Sequence, residues 1–257
     1  MTKTQSISAA IITFNEEDNI GRTLESLKNF ADEIIIIDSG SADRTIQIAN
    51  HYEAKVFTEE WKGFSGQKNS LIQKCNSEWI LFLDADEVPT EELKNSIIKN
   101  LTSNIEFDGY FIKRKTHYLG KLLKHSWQPD SKLRLVRKSS NPKWIGDEIH
   151  EKLLIDGLTS ELDGYLIHYS YKNINHHFKK TLEYSVISAK DYYQSGKKFS
   201  IFKLVFNPIF AFTKMYFINL AMLDGIRGFI AAFSSGFYTF MKYIHLWEIY
   251  SSQNKKD

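Results

Sequence analysis

The sequence predicts an α/β protein, an open sheet of βαβ units followed by a helical, aromatic-rich region. Two observations predict the sheet. Short β-branched runs alternate with longer helical patterns through the first hundred residues, as parallel strands joined by crossover helices do. The uninterrupted run Glu33-Ile34-Ile35-Ile36-Ile37 suits a central strand covered on both faces. A third observation predicts the helical region: aromatic residues make up 14% of the chain and crowd the segment from Phe199 to Tyr250.

In order, Ile7 to Thr13 reads as a strand and Glu16 to Phe30 as its helix. The Glu33–Ile37 strand ends at Asp38-Ser39-Gly40-Ser41, and Ser41 or Ala42 opens a helix to about Tyr52. Ala54 to Thr58 is a third strand, Gln67 to Cys75 a helix, and Glu78 to Leu83 a fourth strand ending at Asp84-Ala85-Asp86-Glu87. Pro89 gives a hard start to a helix from Glu91 to Leu101. Two strand-like pieces follow, Tyr110 to Lys113 and Leu133 to Val136, then a strand from Asp163 to Tyr169 and a helix from Ile174 to Gln194. Asn207-Pro208 reads as the cap and first residue of a helix to Leu223, Asp224-Gly225 breaks it, and a last helix runs to about Tyr250.

The bulk numbers exclude several classes. With 257 residues, 42% hydrophobic, the chain buries one substantial core. A formal net charge of +2 gives no reason to expect nucleic acid as a partner. The single cysteine, Cys75, rules out an intrachain disulfide framework and fits a reducing compartment, and it reads as a buried small hydrophobe. The apolar segment after Met1-Thr2-Lys3-Thr4-Gln5 is too short for a signal peptide, so the expected location is the cytosol. In the aromatic region the longest charge-free run, Gly228 to Met241, falls short of the roughly 18 to 20 apolar residues of a spanning helix.

In an open α/β sheet, ligands bind beyond the carboxyl ends of the strands. Three strands end in polar clusters there: Thr13-Phe14-Asn15-Glu16-Glu17, Asp38-Ser39-Gly40-Ser41-Ala42-Asp43 and Asp84-Ala85-Asp86-Glu87. A lone acidic residue after a strand is usually a turn former, but three such ends on one edge point to a site. Carboxylates two apart, Asp84 and Asp86, can converge on a hard cation, Mg²⁺ or Mn²⁺, and through it on a diphosphate. No GxxxxGK[ST] loop is present, which argues against a P-loop enzyme and leaves phosphate charge to metal and to cations such as Lys68. No GxGxxG follows the first strand, which argues against a dinucleotide enzyme. His117, His125, His176 and His177 lack zinc-site spacing and read as structural or acceptor-facing.

The set Thr13 to Glu17, Asp38 to Thr45, Gln67-Lys68-Asn69 and Leu83 to Glu87 resembles glycosyltransferase family 2, and within it the small bacterial enzymes that add glucose to the lipopolysaccharide inner core. The resemblance covers roughly the first 150 residues well. It implies a GT-A fold, a mixed central sheet flanked by helices with a C-terminal helical appendage. It divides the chain into a catalytic domain over 1–172, with a nucleotide-binding half 1–105 and an acceptor half 106–172, and a helical region 173–257. The activity implied is inverting, metal-dependent transfer of a sugar, best glucose from UDP-glucose, onto a lipopolysaccharide-core or other lipid-linked saccharide. Phe14, Glu16 and Asp38 would hold the nucleoside, with Thr13 contributing backbone. Lys68 would lie near base or diphosphate, Asp84 near ribose or uracil, and Asp86 would ligate the metal.

Inversion by one displacement needs a general base, normally a carboxylate. The candidates lie in Trp144 to Glu151. In the look-alike enzymes a His-Glu pair follows a strand like Leu133-Arg134-Leu135, so Glu151 is chosen, with Asp147 and Glu148 as rivals. Arg134 and Arg137, on that strand, are candidates for a phosphate. Lys197, Lys198 and Lys203 ahead of the aromatic stretch suit peripheral attachment to an anionic leaflet, at the inner face of the bacterial cytoplasmic membrane. A lid packed on the catalytic domain is the alternative for this stretch. For the whole chain, the alternatives are a sugar-nucleotide pyrophosphorylase-like nucleotidyltransferase, which would carry a basic glycine-rich loop where Asn15-Glu16-Glu17 stands, and a non-catalytic nucleotide-sugar-binding membrane protein.

Overall fold

The structure is a computed structural model that describes residues 5–102, 106–146 and 151–253. Its first part runs β1 (Ile7–Thr13), α1 (Ile20–Leu27), β2 (Glu33–Asp38), α2 (Thr45–His51), β3 (Lys55–Thr58), α3 (Gly63–Lys74), β4 (Trp79–Asp84), β5 (Glu87–Pro89) and α4 (Glu91–Thr102). Then come β6 (Gly109–Tyr118), β7 (Lys121–Leu122), β8 (Ser131–Arg137), β9 (Lys143–Ile145), β10 (Lys152–Leu154) and β11 (Thr159–His168). Three helices follow, α5 (Ile174–Gln194), α6 (Ile201–Thr213) and α7 (Ile226–Gln253).

The main sheet has the order β3-β2-β1-β4-β8-β6-β11-β5, with β7 paired to β6. β1 pairs parallel with β2 and β4, and β2 with β3. β8 is antiparallel to β4 and β6, and β5 is antiparallel to β11. The sheet is therefore mixed, as expected, with the parallel part preceding the antiparallel part in sequence. The chain divides into two compact units, Met1–Lys115 with Asp130–Tyr169, and Thr116–Pro129 with Ser170–Asp257.

In the first unit, strand side chains alternate between two cores, as the period of two requires. Ile7, Ala9 and Ile11 of β1, Ile36 of β2, and Trp79, Leu81 and Leu83 of β4 pack with Leu24 and Leu27 of α1 and Leu93 and Ile97 of α4. Ala10, Ile35, Ile37, Ile80 and Phe82 go to the other face, against Leu71, Ile72 and Cys75 at the end of α3. This double burial accounts for the continuous isoleucine run of β2. Cys75 is fully buried, and that burial pushes its thiol up to about 12.

Two helices start later than the sequence predicts, and side-chain bonds tie together the two loops that precede them. The backbone N–H groups that would have opened them are bonded to loop side chains: Glu16 N donates to Thr45 Oγ1 (2.8 Å), Glu17 N to Asp43 Oδ2 (3.1 Å) and Ala42 N to Asn15 Oδ1 (2.9 Å). α2 then begins at Thr45, whose N–H donates to Asp43 Oδ1 at 2.9 Å, a local cap. α4 begins at Glu91 as expected, with Pro89 just before it at the end of β5, opposite Leu166 of β11.

Glu33, at the start of β2, ties three segments together. Its carboxylate accepts from Ser8 Oγ (2.6 Å), Asn76 N (2.5 Å) and Lys55 Nζ (3.0 Å). Burial alone would raise its pKa, but these donors bring it down to about 2 from the ordinary 4.5. A carboxylate depressed in the folded state contributes stability above its unfolded pKa and loses it as pH falls toward the folded one. Glu33→Gln is therefore expected to lower stability by about 1–2 kcal/mol at neutral pH. The gap to the wild-type protein should close between pH 4.5 and about 2. Urea unfolding across that range checks both points.

In the second unit, α5 and α7 pack around Ala189, Tyr243 and Leu246. α5 has the predicted bounds. α6 does not: it begins at Ile201, after Ser200, and carries Pro208 in its interior, where the sequence predicts a helix start. α6 packs along α7, with Leu204 against the Ala189–Tyr243–Leu246 cluster, and this contact holds the helix through the proline. Asn207 Nδ2 donates to Tyr243 Oη (2.8 Å), tying this turn to α7. Five residues of π-helix follow to Ile218, and none of the residues from Ile201 to Ile218 is buried. With Lys203 and Lys214 included, this 18-residue stretch is long and apolar enough, by length and composition alone, to cross a membrane.

Candidate active site

Parallel pairing of β2, β1 and β4 sets their carboxyl ends side by side, with Thr13 opposite Asp38 and Ile12 opposite Asp84. The three polar clusters thus share one edge. Thr13 contributes its side chain, donating from Oγ1 to Asp38 Oδ2 (2.9 Å). Asp38 is fully buried, and its carboxylate also accepts from Gly40 N (2.9 Å), Ser41 N (2.8 Å) and Ser41 Oγ (2.5 Å). The acceptor capacity of Asp38 is spent on building the 38–41 loop. Phe14 projects beside that loop with 57% of its surface exposed, a free aromatic face at a strand end. Glu16 is half-buried, and its Oε2 accepts from Asn19 Nδ2 (2.9 Å).

Behind this edge is a network of alternating charges. Arg134 of β8 donates from Nη2 to Asp84 Oδ2 (2.9 Å) and Glu87 Oε1 (3.3 Å). Arg114 of β6 donates to Glu87 Oε1 (2.8 Å), lies 3.4 Å from Asp84 Oδ2, and pairs with Asp130 through Nε and Nη2. Glu87, fully buried, closes the turn by accepting from Asp84 N (2.9 Å). Burial would push the Asp84 carboxyl up, but Arg134, Lys68 and Arg114 together hold it well below the usual carboxylate range. Asp84 is thus a structural partner of three cations before any ligand arrives.

Lys68 of α3 is almost fully buried. It lies 3.5 Å from Asp84 Oδ1, over the Trp144 ring at 4.5 Å, and is bonded to Glu151 Oε1. The chosen base is therefore brought to the same edge. Its second oxygen, Oε2, is buried and has no hydrogen-bond partner among the described residues, and neither have Arg134 Nε and Nη1 or Gln67 Oε1. A buried unsatisfied group costs about 1–3 kcal/mol. Asp147 and Glu148 lie outside the described residues.

Asp86 stands beside His168, at the end of β11, with Oδ1 3.3 Å from Nε2. Burial disfavours the imidazolium, yet the neighbouring Asp86 outweighs it and raises the His168 pKa. Among the described residues no three His, Cys, Asp or Glu side chains cluster as a ready metal cage. The donor types nonetheless suit a divalent cation held partly by a ligand, since carboxylate oxygen and imidazole nitrogen both coordinate one. Charge agrees: Asp84, Asp86, Glu87, Asp130 and Glu151 outnumber Lys68, Arg114, Arg134 and His168.

Arg137 is not brought to this edge. β8 runs antiparallel to β4, which puts Arg137 opposite Trp79 at the start of β4, where it pairs with Asp108 (3.5 Å). Of the two arginines on β8, only Arg134 serves the site. Sequence reasoning passed over Arg114, Asp130, the role of Glu87, and His168. The last carried a usable signal, a polar residue ending a predicted strand.

The family model described as Glycosyl transferase family 2 matches residues 8–144. The chain belongs to glycosyltransferase family 2. Along nearly its whole length, this family 2 glycosyltransferase is similar to a lipopolysaccharide core biosynthesis glycosyltransferase, LpsC, of Rhizobium meliloti, with 30% identity over 91% of this chain and 89% of that one. An uncharacterized glycosyltransferase of Rickettsia typhi is 34% identical over 95% of this chain and 87% of its own. Among solved structures, glucosyl-3-phosphoglycerate synthase from Mycobacterium tuberculosis overlays with a TM-score of 0.47 at 15% identity, covering 65% of this chain and 72% of that one.

Proposed function

We propose that this glycosyltransferase is an inverting, metal-dependent hexosyltransferase that moves glucose from UDP-glucose onto a lipopolysaccharide-core or other lipid-linked saccharide. The observation that carries the reading is a carboxylate oxygen without a partner among the described residues, Glu151 Oε2, on the same buried network as Lys68, Asp84 and Arg134. The acceptor class takes its support from the similarity to the lipopolysaccharide core biosynthesis enzyme.

Each residue then has a task its chemistry allows. The exposed Phe14 ring stacks on the base, and the loop built by Asp38 and Thr13 frames the nucleoside. Lys68 and the two open N–H groups of Arg134 face the charge of the diphosphate. Glu16 borders the nucleoside side. Asp86, with His168, would hold Mg²⁺ or Mn²⁺, which when bound neutralises the charge of the departing diphosphate. Glu151 takes the proton of the acceptor hydroxyl as that oxygen bonds to the anomeric carbon opposite the leaving group, which inverts the centre. Residues 1–172 form the catalytic domain of this reading, with its nucleotide and acceptor halves at 1–105 and 106–172. Calorimetric titration with a panel of nucleotide sugars, with and without Mn²⁺, tests it. The expected result is metal-dependent uptake of UDP-glucose, and no uptake of any sugar nucleotide would sink it.

Residues 173–257 provide peripheral attachment to the inner face of the cytoplasmic membrane. Two features support this. The outward stripe of α6 includes Ile201, Phe202, Ile209 and Phe210, all well exposed. From Ser195 to Leu223 the chain carries Lys197, Lys198, Lys203 and Lys214 and no acidic residue. Apolar surface edged by cations fits an anionic leaflet. Changing Lys197, Lys198 and Lys203 to Gln removes roughly 1 kcal/mol each near such a surface, so vesicle binding should fall about 100-fold at low salt. Equal sedimentation of variant and wild-type protein at every salt concentration would favour the lid.

A further inference from the structure

The helical unit contains a cavity of about 160 Å³, lined by Trp127, Tyr171, His177, Thr181, Tyr184, Ser234, Ser235 and Tyr238. These residues come from α5, α7 and the segments that precede α5. Two kinds of surface alternate around it, aromatic rings and hydroxyl groups. We propose that this cavity is a saccharide site that takes one uncharged pyranose ring, a ligand choice that does not depend on the transferase reading.

Size is the first argument. A protein cavity of roughly 150 Å³ holds one benzene-sized ring, so this one suits a single six-membered ring rather than a nucleotide or a disaccharide. Hydrogen-bond polarity is the second. Thr181 Oγ1 donates to His177 O (2.9 Å) and Ser234 Oγ donates to Ala231 O (2.9 Å). Their protons are used within their own helices, so these oxygens have only lone pairs left to offer. A matching ligand must bring hydroxyl donors, which a sugar does and a phosphate or carboxylate does not. The aromatic rings complete the match, because the C–H faces of a pyranose are apolar and pack on them.

Charge is the third argument. No carboxylate lines the cavity. His177, buried and beside His176, has its pKa lowered to about 4 and is neutral at physiological pH. Lys172, Lys179 and Lys180 surround the neighbouring His176. A quaternary ammonium could use the same aromatic rings, but it would meet these three lysines against one nearby carboxylate, Glu183. A neutral polyol meets no such cost.

The wall that carries Trp127 is also held in place. Asp224 accepts from Lys124 N (2.9 Å), His125 N (3.1 Å), Ser126 N (2.8 Å) and Ser126 Oγ (2.8 Å). Arg227 donates twice to Leu119 O, at 2.9 and 2.6 Å. On the other side Tyr118 Oη and His177 Nδ1 share a hydrogen bond of 2.7 Å, and Tyr238 Oη shares one of 2.5 Å with Ser188 Oγ. A cavity preorganised by so many fixed partners loses little entropy on filling.

The test is saturation-transfer NMR on the full chain with methyl α-glucoside, methyl α-galactoside, methyl α-mannoside and choline as separate probes. Thr181→Val, which keeps shape and removes the acceptor oxygen, and Tyr184→Ala, at a half-exposed ring, are compared with wild type. At least one glycoside should bind with millimolar affinity through its ring protons, weakened about five-fold by the first variant and about ten-fold by the second. Thermal melting of each variant confirms folding, and UDP titration with Mn²⁺ of the same samples reads the donor site separately. Intact UDP binding without any glycoside signal overturns the site and leaves the transferase reading standing. Glycoside binding without UDP uptake does the reverse. Saturable choline binding in place of glycoside, or glycoside binding unchanged in both variants, also overturns it.

Discussion

Asp86→Ala should abolish Mn²⁺-dependent uptake of UDP-glucose and lower transfer by roughly 10³-fold, the several kcal/mol of charge neutralisation that a divalent cation supplies. The reason is local. Asp84, two residues earlier, already answers to Arg134, Lys68 and Arg114, so it cannot replace the lost oxygen without breaking those pairs. Asp86 has a different setting, beside His168 at the end of β11. The variant should remain folded, because the β5–β11 pairing and the Tyr169 N to Asp86 O bond (2.9 Å) are backbone contacts that the substitution leaves in place. Calorimetry with and without Mn²⁺ reads binding, and a radiolabelled sugar donor reads transfer. Activity like wild type in Asp86→Ala, or full wild-type activity in excess chelator, would sink the metal assignment.

The same two carboxylates show how far the residues alone could lead. Their spacing at a strand end marks a place where charge collects, and the parallel order of β2, β1 and β4 follows from the crossover pattern, so the location of the edge was readable. The different surroundings of Asp84 and Asp86 were not. They depend on Arg134 and Arg114, which arrive on β8 and β6 from 50 and 30 residues away, and on His168, which arrives on β11. Such long-range placement is set by strand register, and a shift of one residue turns a side chain to the opposite face. Arg137 illustrates this: three residues along β8 from Arg134, it lies toward the opposite end of the strand. Asp38 shows a different limit. Its type and position signal a ligand contact, whereas its acceptor sites are occupied by Thr13, Gly40 and Ser41. Turn formers and ligands share residue types, and only the hydrogen-bond partners separate them. In α6 the proline rule failed because packing on α7, a long-range contact, carries the helix past Pro208.

Glu151→Gln should separate binding from chemistry. Glutamine keeps the length and planarity of the side chain but cannot accept a proton from an attacking hydroxyl, so turnover is expected to fall by about 10² to 10⁴, the range typical of a lost general base. Donor affinity should change only a few-fold. Lys68 loses its ion pair with Glu151, yet it keeps Asp84 at 3.5 Å and the Trp144 ring at 4.5 Å, enough to hold its ammonium near the diphosphate. The relevant oxygen is Oε2, since Oε1 is occupied by Lys68. Titration of UDP-glucose with Mn²⁺ and single-turnover transfer, measured on one preparation, give the two quantities independently. A collapse of donor affinity with little change in single-turnover rate at saturation would mean that Glu151 works by placing Lys68, as a positioning residue. The base would then have to be sought at Asp147 or Glu148, and substituting each of these by its amide would show which one carries the loss in rate.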